Sequence, residues 1–324
     1  MDENLPKSHY HWNDHSIHFI YDWKYFSKDQ KKGKRKGCIK GEKVERKQRS
    51  FLGFIFVVVG ISMFFYPEIL NYQQQKNMQH EIKIFKSKKK VSKDQDVLYK
   101  KALNYDQKIY DEGQKNLKDI WSYETPPVQW QKGCFGYIKI KKMNTELPLY
   151  LGATLENMKR GAVIMGGTSL PLGIKNSNCV IAAHRGYKGI PYFREIERLK
   201  TGDKIVVKNP WEKLSYIVET IKIIDPNDSD QIRIKEGKDM ITLLTCHPYQ
   251  GQGKFRYIVY CIRDHGQKVS KNKEDARKEP EFRSSQGDIF REKIVRYTSF
   301  MILICVVIKV IEIKKKQGGE KHER

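Results

Sequence analysis

Short runs of β-branched and aromatic residues dominate the chain from Gly133 onward. They are CFGYIKI, LPLYLG, AVIMG, CVIAA, KIVVK, LSYIVETIKII, DMITLLTC and FRYIVYC. Gly, Pro and Asn separate them at fairly regular intervals, which is the pattern of strands joined by turns. About eight strands with few helices predict a mostly β domain over residues 133–264 that closes into a barrel. Short helices are expected at LENMKRGA and around PYFREIERLK. Residues 72–132 are polar, and VLYKKALNYDQKIYDEGQKNL carries helical spacing, so this segment predicts an amphipathic helical stalk.

Two other segments break the polar background. Phe51–Tyr66 is uncharged and is followed by PEIL; with that flank it approaches the ~20 residues that span a bilayer. A transmembrane helix over 51–71 follows, with a buried core helix as the alternative. No small-residue cleavage site follows, so it is not a removable signal. Tyr297–Ile308 is apolar and is interrupted by Lys309, predicting a second transmembrane helix over 297–313 or, alternatively, an interfacial amphipathic one. Residues 265–296 are charged and read as a linker; residues 314–324 form a short basic tail.

Charge sharpens this picture. The 324 residues carry 62 Lys and Arg against 38 Asp and Glu, a formal net charge of +24. Such an excess suits nucleic acid, an anionic membrane or acidic polymers. The basic residues crowd beside the two apolar segments and no nucleic-acid motif is visible, which favours the membrane. The dense basic run in the tail 1–50 places the N-terminus in the cytoplasm and the residues after 71 outside. His9, His11, His15 and His18 form a histidine-rich patch without fixed ligand spacing, and no metal site is inferred. Six cysteines at 38, 134, 179, 246, 261 and 305 lack CxxC pairs. Bridges Cys134–Cys179 or Cys179–Cys261 stay open on sequence alone.

The candidate chemistry lies in ITLLTCHPYQGQGKFRYIVYC, residues 241–261. Cys246 falls where a strand runs out into a glycine-bearing loop, and Arg256 lies near the start of the returning strand. Upstream, the strand Val180–Ala183 delivers His184 at its end. A thiol needs a basic neighbour to become a nucleophile and a donor to stabilise an oxyanion. His247 competes as the base, and Lys254 and Arg263 compete with Arg256 as the donor. Arg185 reads as structural or solvent-facing. Thr245 is either an ordinary strand residue or a shaper of a substrate groove. A papain-like protease is disfavoured, because there the cysteine precedes the histidine.

TLLTC followed by PY and R-Y-I-V resembles the signature of sortases, the membrane-bound cysteine transpeptidases of Gram-positive bacteria. AHRG, LKTGDKI, LPLYLGAT and GGTSLP fit the same pattern, and the approach DPNDSDQIRIKEGKDM is similar to class C, the pilin-polymerising sortases. The resemblance covers roughly 136–261. It implies an eight-stranded sortase-type barrel in which Cys246 is the nucleophile, His184 the acid and base, and Arg256 the oxyanion donor. It implies no cofactor. The substrate would be an LPxTG-like sorting signal, and the acceptor amine a pilin lysine or, in a housekeeping sortase, a peptidoglycan precursor. Class C sortases also carry a lid with an Asp-Pro-aromatic motif; Asp119 and Trp121 keep its acid and aromatic, without the proline. The family places a threonine where this chain has His247. A non-catalytic membrane-anchored β-barrel scaffold is the reading from a different functional class.

Overall fold

In this computed structural model the described residues are 39–319, except 89–92, 94, 95, 116, 118–124, 129, 131, 132, 188, 189, 250–252 and 267–285. The chain divides into two compact units, Met1–Ser62 and Met63–Arg324. Among its described residues the first unit holds only the opening turns of a long helix, α1 (Ile39–Ser87).

Eight strands build the second unit: β1 (Gly136–Ile140), β2 (Thr145–Leu151), β3 (Ala162–Ile164), β4 (Ser177–Ala182), β5 (Lys204–Lys208), β6 (Lys213–Ile224), β7 (Asp239–His247) and β8 (Phe255–Arg263). All eight coincide with the runs expected from the sequence. They close in the order β1-β2-β3-β4-β7-β8-β6-β5, with β5 returning to β1. Most neighbours are antiparallel, whereas β2 with β3 and β4 with β7 run parallel. Every residue of β4 is buried, as befits a central strand packed on both faces.

Alternation sorts the side chains into two layers. Ile138, Leu149, Ile164, Ile181, Val207, Tyr216, Leu243 and Val259, one from each strand, join one apolar cluster and fill the barrel. Val180, Ala182, Met240, Leu244, Ile258 and Tyr260 point the other way, into a second cluster with Phe85 of α1 and Ile232. The outer face of the β4–β7–β8 sheet is therefore covered over part of its length.

Helices surround this barrel. The sequence separates a membrane helix from a stalk near residue 71, but α1 runs through that point without a break and ends by burying Met78, Ile82 and Phe85. Pro67, which would normally interrupt a helix interior, does not end it. Helix α2 (Val97–Asp111) lies within the expected stalk. Asp96 caps it by accepting from the Leu98 amide, and its other oxygen accepts from Trp211 Nε1 at 2.6 Å, so one carboxylate both starts the helix and fastens it to the barrel. Helix α3 (Leu155–Arg160) matches LENMKRGA and is capped by Thr154. The PYFREIERLK stretch forms only a 3₁₀ turn at Ile196–Arg198.

The last helix, α4 (Gln286–Gly319), begins inside the segment read as linker. Asp288 in its first turn suits the helix dipole, and Ile289 is buried; these local gains extend the helix beyond its apolar stretch. Phe65 of α1 meets Phe300 of α4 edge to face at 5.9 Å, and Glu68 pairs with Arg296. Among the described residues no helix is long and apolar enough to cross a membrane; several side chains of the 51–67 stretch lie outside them. The tail histidines, Cys38, Asp119 and Trp121 also lie outside the described residues. Cys134, Cys179, Cys246, Cys261 and Cys305 are all free, so neither disulfide considered from the sequence is formed.

Candidate active site

Strand register brings three distant residues to one end of the barrel. In the antiparallel ladder of β7 and β8, Cys246 stands directly opposite Arg256. On the other side of β7 the parallel partner β4 pairs Ala182 with Leu244. The Ala183 amide donates to the Leu244 carbonyl at 3.1 Å, and Thr245 Oγ1 donates to the Ala183 carbonyl at 2.7 Å. Carrying this register two residues beyond Ala182 and Leu244 sets His184 beside Cys246. All three side chains share the parity of Ala182, Leu244 and Ile258, so they emerge on the outer face of the sheet, just past the apolar layer that covers it.

Gly253 confirms how close the thiol and the guanidinium lie. A methyl group there would sit 3.3 Å from Arg256 Nη1 and 3.4 Å from Cys246 Sγ. The Gly253 carbonyl accepts from Arg256 Nη1 at 2.7 Å, and the Phe255 carbonyl accepts from the same nitrogen at 2.8 Å. Arg256 is only 1% exposed while Cys246 is half-buried. A cation is thus held in a poorly hydrated position beside a thiol that solvent can reach, where its field is least screened.

His184 is held by aromatic packing. Its ring stacks on Tyr187 at 4.8 Å and meets Tyr192 edge to face at 5.8 Å, while its carbonyl accepts from the Phe193 amide. Burial pushes its pKa below the usual 6.5, so the imidazole is neutral at pH 7 and able to take a proton. Tyr192 has φ +40°, a left-handed conformation that a bulky residue seldom adopts. Such an outlier persists only where its surroundings impose it; here the Tyr192 hydroxyl donates to the Lys159 carbonyl at 2.7 Å and its ring braces His184.

The competitors fall elsewhere. His247 follows Cys246 on the same strand, so the two side chains leave by opposite faces; His247 is buried. Lys254 is exposed in the loop, and Arg263 lies at the far end of β8 near Asp239. Thr245 is buried, and its hydroxyl donates to the Ala183 carbonyl just past β4. A cavity of about 480 Å³ lined by Glu81, Phe85, Lys88, Cys134 and Arg160 includes none of the three candidates. Among the described residues no cluster of three or more His, Cys, Asp or Glu could hold a metal ion.

Of the two readings that the sequence left for Arg185, structural or solvent-facing, the buried one holds, behind Cys246. Arg185, 5% exposed, lies among His247, Glu197 and the Cys246 carbonyl. Its only sequence signal is its position immediately after His184.

Residues 138–264 match the sortase domain family model. Over that stretch the chain is similar to the sortases. Its match begins inside β1 and ends just past β8, so it takes in the candidate trio and the strands that position it. Sortase D of Bacillus subtilis is 28% identical over 127 residues, 39% of this chain and 61% of that protein. Sortase A of Bacillus anthracis is 30% identical over 129 residues, 40% of this chain and 59% of that protein. The chain thus spans about three fifths of the length of these curated relatives. A crystal structure of Streptococcus agalactiae sortase C1 superposes with a TM-score of 0.51 at 29% identity, covering 60% of this chain and 95% of that one. Sequence relatives of classes D and A stand beside a structural relative of class C, so the similarity points to no single class.

Proposed function

We propose that this protein is a membrane-anchored cysteine transpeptidase that cuts an LPxTG-like sorting signal between Thr and Gly and joins the new carboxyl end to an amine. The observation that carries the reading is the placement of His184, Cys246 and Arg256 side by side at the ends of β4, β7 and β8, on one face. Cys246 Sγ attacks the Thr carbonyl carbon, and Arg256 meets the developing oxyanion. His184 takes the thiol proton as Cys246 attacks and gives it to the departing glycine amine as the C–N bond breaks, leaving a thioester. It then takes a proton from the incoming amine, whose attack releases the thiol.

The acceptor we favour is a lysine of a pilin subunit, which would make the enzyme a pilus-assembling class C sortase. The likeness to sortase C1 and the presence of a second long helix after the barrel support this choice. A lid formed by Asp119 and Trp121 over Cys246 belongs to the same proposal. The curated relatives of classes A and D favour the second reading, anchoring of surface proteins to peptidoglycan.

Two membrane helices, over 51–71 and 297–313, would hold the barrel on the outer surface with both basic tails in the cytoplasm. Exposed apolar side chains along α1 and α4 support this, among them Val59, Met63, Tyr66, Met301, Ile302 and Ile308; such surface is costly in water. The contact of Phe65 with Phe300 supports a paired arrangement.

The test uses the full chain in detergent, an LPxTG-type peptide and a lysine-bearing pilin domain, followed by mass spectrometry. A peptide–pilin conjugate that disappears in Cys246→Ala is the expected product. A thioacyl enzyme resolved only by small amines or water would move the assignment to wall anchoring. No adduct at all would leave a non-catalytic scaffold as the better account.

A further inference from the structure

The three candidate residues occupy the outer face of the sheet, and one buried cation sits behind them. Arg185 follows His184 in the chain, so its side chain leaves by the opposite face. There its Nη1 donates to the Cys246 carbonyl at 3.3 Å and to His247 Nδ1 at 3.1 Å. Nη2 pairs with Glu197, and the guanidinium lies 5.2 Å from the ring centroid of Tyr257, the residue after Arg256. One side chain therefore touches the nucleophile's own carbonyl and the next residue beyond the oxyanion donor, and is covalently next to the base.

The surroundings define its protonation pattern. Arginine only donates, so His247 Nδ1 must accept and the ring carries its proton on Nε2. Burial and the Arg185 charge both lower the His247 pKa, against Glu197, which raises it; a neutral ring agrees with the geometry. With Nδ1 unprotonated, the 3.6 Å approach of His247 to Glu197 is not a hydrogen bond, and Glu197 is left to balance Arg185. The side chains of Arg185 and Glu197 are 3% and 10% exposed. A pair so buried stabilises little over an apolar substitute, yet removing one member is costly. A cheaper core would suffice to close the barrel.

We propose that Arg185 is a positioning residue for the transpeptidation reaction: with Glu197 as its counter-ion and His247 as its acceptor, it fixes the spacing of His184, Cys246 and Arg256 from behind the sheet. The inference rests on the activity proposed above. Arginine is suited to this, because a planar fork reaches several acceptors at once, whereas a lysine ammonium presents one point charge. Small displacements of reacting groups cost about 100-fold in rate.

The experiment compares Arg185→Lys, Arg185→Met and Glu197→Gln with wild type in the full chain. It measures peptide cleavage for kcat and KM, melting temperature, and hydrogen exchange of the backbone at 182–185 and 244–247. Arg185→Lys is expected to recover most of the melting temperature lost in Arg185→Met, yet to keep kcat down roughly 10- to 100-fold at near-constant KM. Exchange should quicken in those two segments in every variant. A folded Arg185→Lys with wild-type kcat overturns the inference and leaves Arg185 a stabilising residue only. If Arg185→Met does not fold, Arg185→Lys and Glu197→Gln decide the matter. Wild type without any cleavage would defeat the proposed activity itself. The exchange data would then still test the brace, and unchanged exchange at both strand ends would overturn it.

Discussion

Gly253 offers a sharp test of how the thiol and the guanidinium are held. Its φ is +69°, and an added methyl group would lie 3.3 Å from Arg256 Nη1 and 3.4 Å from Cys246 Sγ. Gly253→Ala therefore has two separable effects. The left-handed backbone alone costs a non-glycine residue about 1–2 kcal/mol, which lowers the melting temperature of a domain this size by about 2–8 °C. The contact with Arg256 Nη1 is closer than carbon normally tolerates, so the guanidinium must give way by a few tenths of an ångström, while the thiol stands at ordinary contact distance. Arg256 is anchored to the Gly253 carbonyl itself, and any shift of the loop carries the proposed oxyanion donor with it. Losing one such donor costs about 100- to 1,000-fold in kcat; partial displacement should cost about 10-fold or more. Gly237 supplies the control, with φ +74° and nothing within 4 Å of an added methyl. Gly237→Ala shares the backbone cost and leaves the site untouched. Kinetics and melting curves should show similar stability losses for the two variants, with a loss of kcat confined to Gly253→Ala. Equal kcat in both would refute the packing described here.

Asp239 predicts a pH dependence of stability. Burial lifts its carboxyl from 3.8 to about 6, against the Tyr216 hydroxyl that donates to it at 3.0 Å. The folded state holds this proton more tightly than the unfolded chain does. The resulting stability is complete below about pH 4 and fades as pH rises through about 6, by on the order of 3 kcal/mol in all. Asp239→Asn should flatten that part of a stability–pH curve, and an unchanged slope would count against the assignment. Thiol labelling should separate the cysteines: burial lifts Cys134 to about 11 and raises Cys179 and Cys261 well above the usual value. Alkylation near pH 8 in a Cys38→Ser, Cys305→Ser background should mark Cys246 and spare those three in the folded protein, as peptide mass spectrometry would show. Tyr249, three residues after Cys246, donates to Glu292 of α4 at 2.5 Å, and Lys293 approaches Glu195 at 3.6 Å. Tyr249→Phe should quicken hydrogen exchange at 246–249, reflecting the loss of about 1.5–3 kcal/mol from a bond to a charged acceptor; unchanged exchange would argue against that tether.

The barrel was legible in the sequence because each strand announces itself locally. Period-2 alternation and turn residues are properties of a few neighbouring positions, and all eight strands appear where those patterns lie. The neighbourhood of Cys246 and Arg256 was legible for a related reason, since a hairpin pairs residues close in the chain. His184 is different: nothing in CVIAAHRGY says that β4 lies parallel to β7, and it was joined to Cys246 by the need of a thiol for a basic neighbour and by the family resemblance. Arg185 was read as structural or solvent-facing because a lone arginine after a loop gives no sign of burial; its partner Glu197 is twelve residues away on a 3₁₀ turn. The continuity of α1 through residue 71 was not legible, because a composition change does not end a helix. The start of α4 at Gln286 was not legible, because the burial of Ile289 leaves no mark in a charged sequence.

The ladder of β7 between β4 and β8 also makes this part of the chain behave like a reading frame. Successive residues alternate between the interior and the outer surface, so Thr245, Cys246 and His247 occupy in, out and in by parity. Deleting or inserting one residue within β7 would turn the thiol inward and present a threonine or an imidazole in its place, with no change to any catalytic residue's identity. Length changes in the β7–β8 loop leave that parity alone. Variation among proteins built this way should therefore collect in loop length, and gene shuffling that respects strand phase should keep the thiol outward even where little sequence is shared.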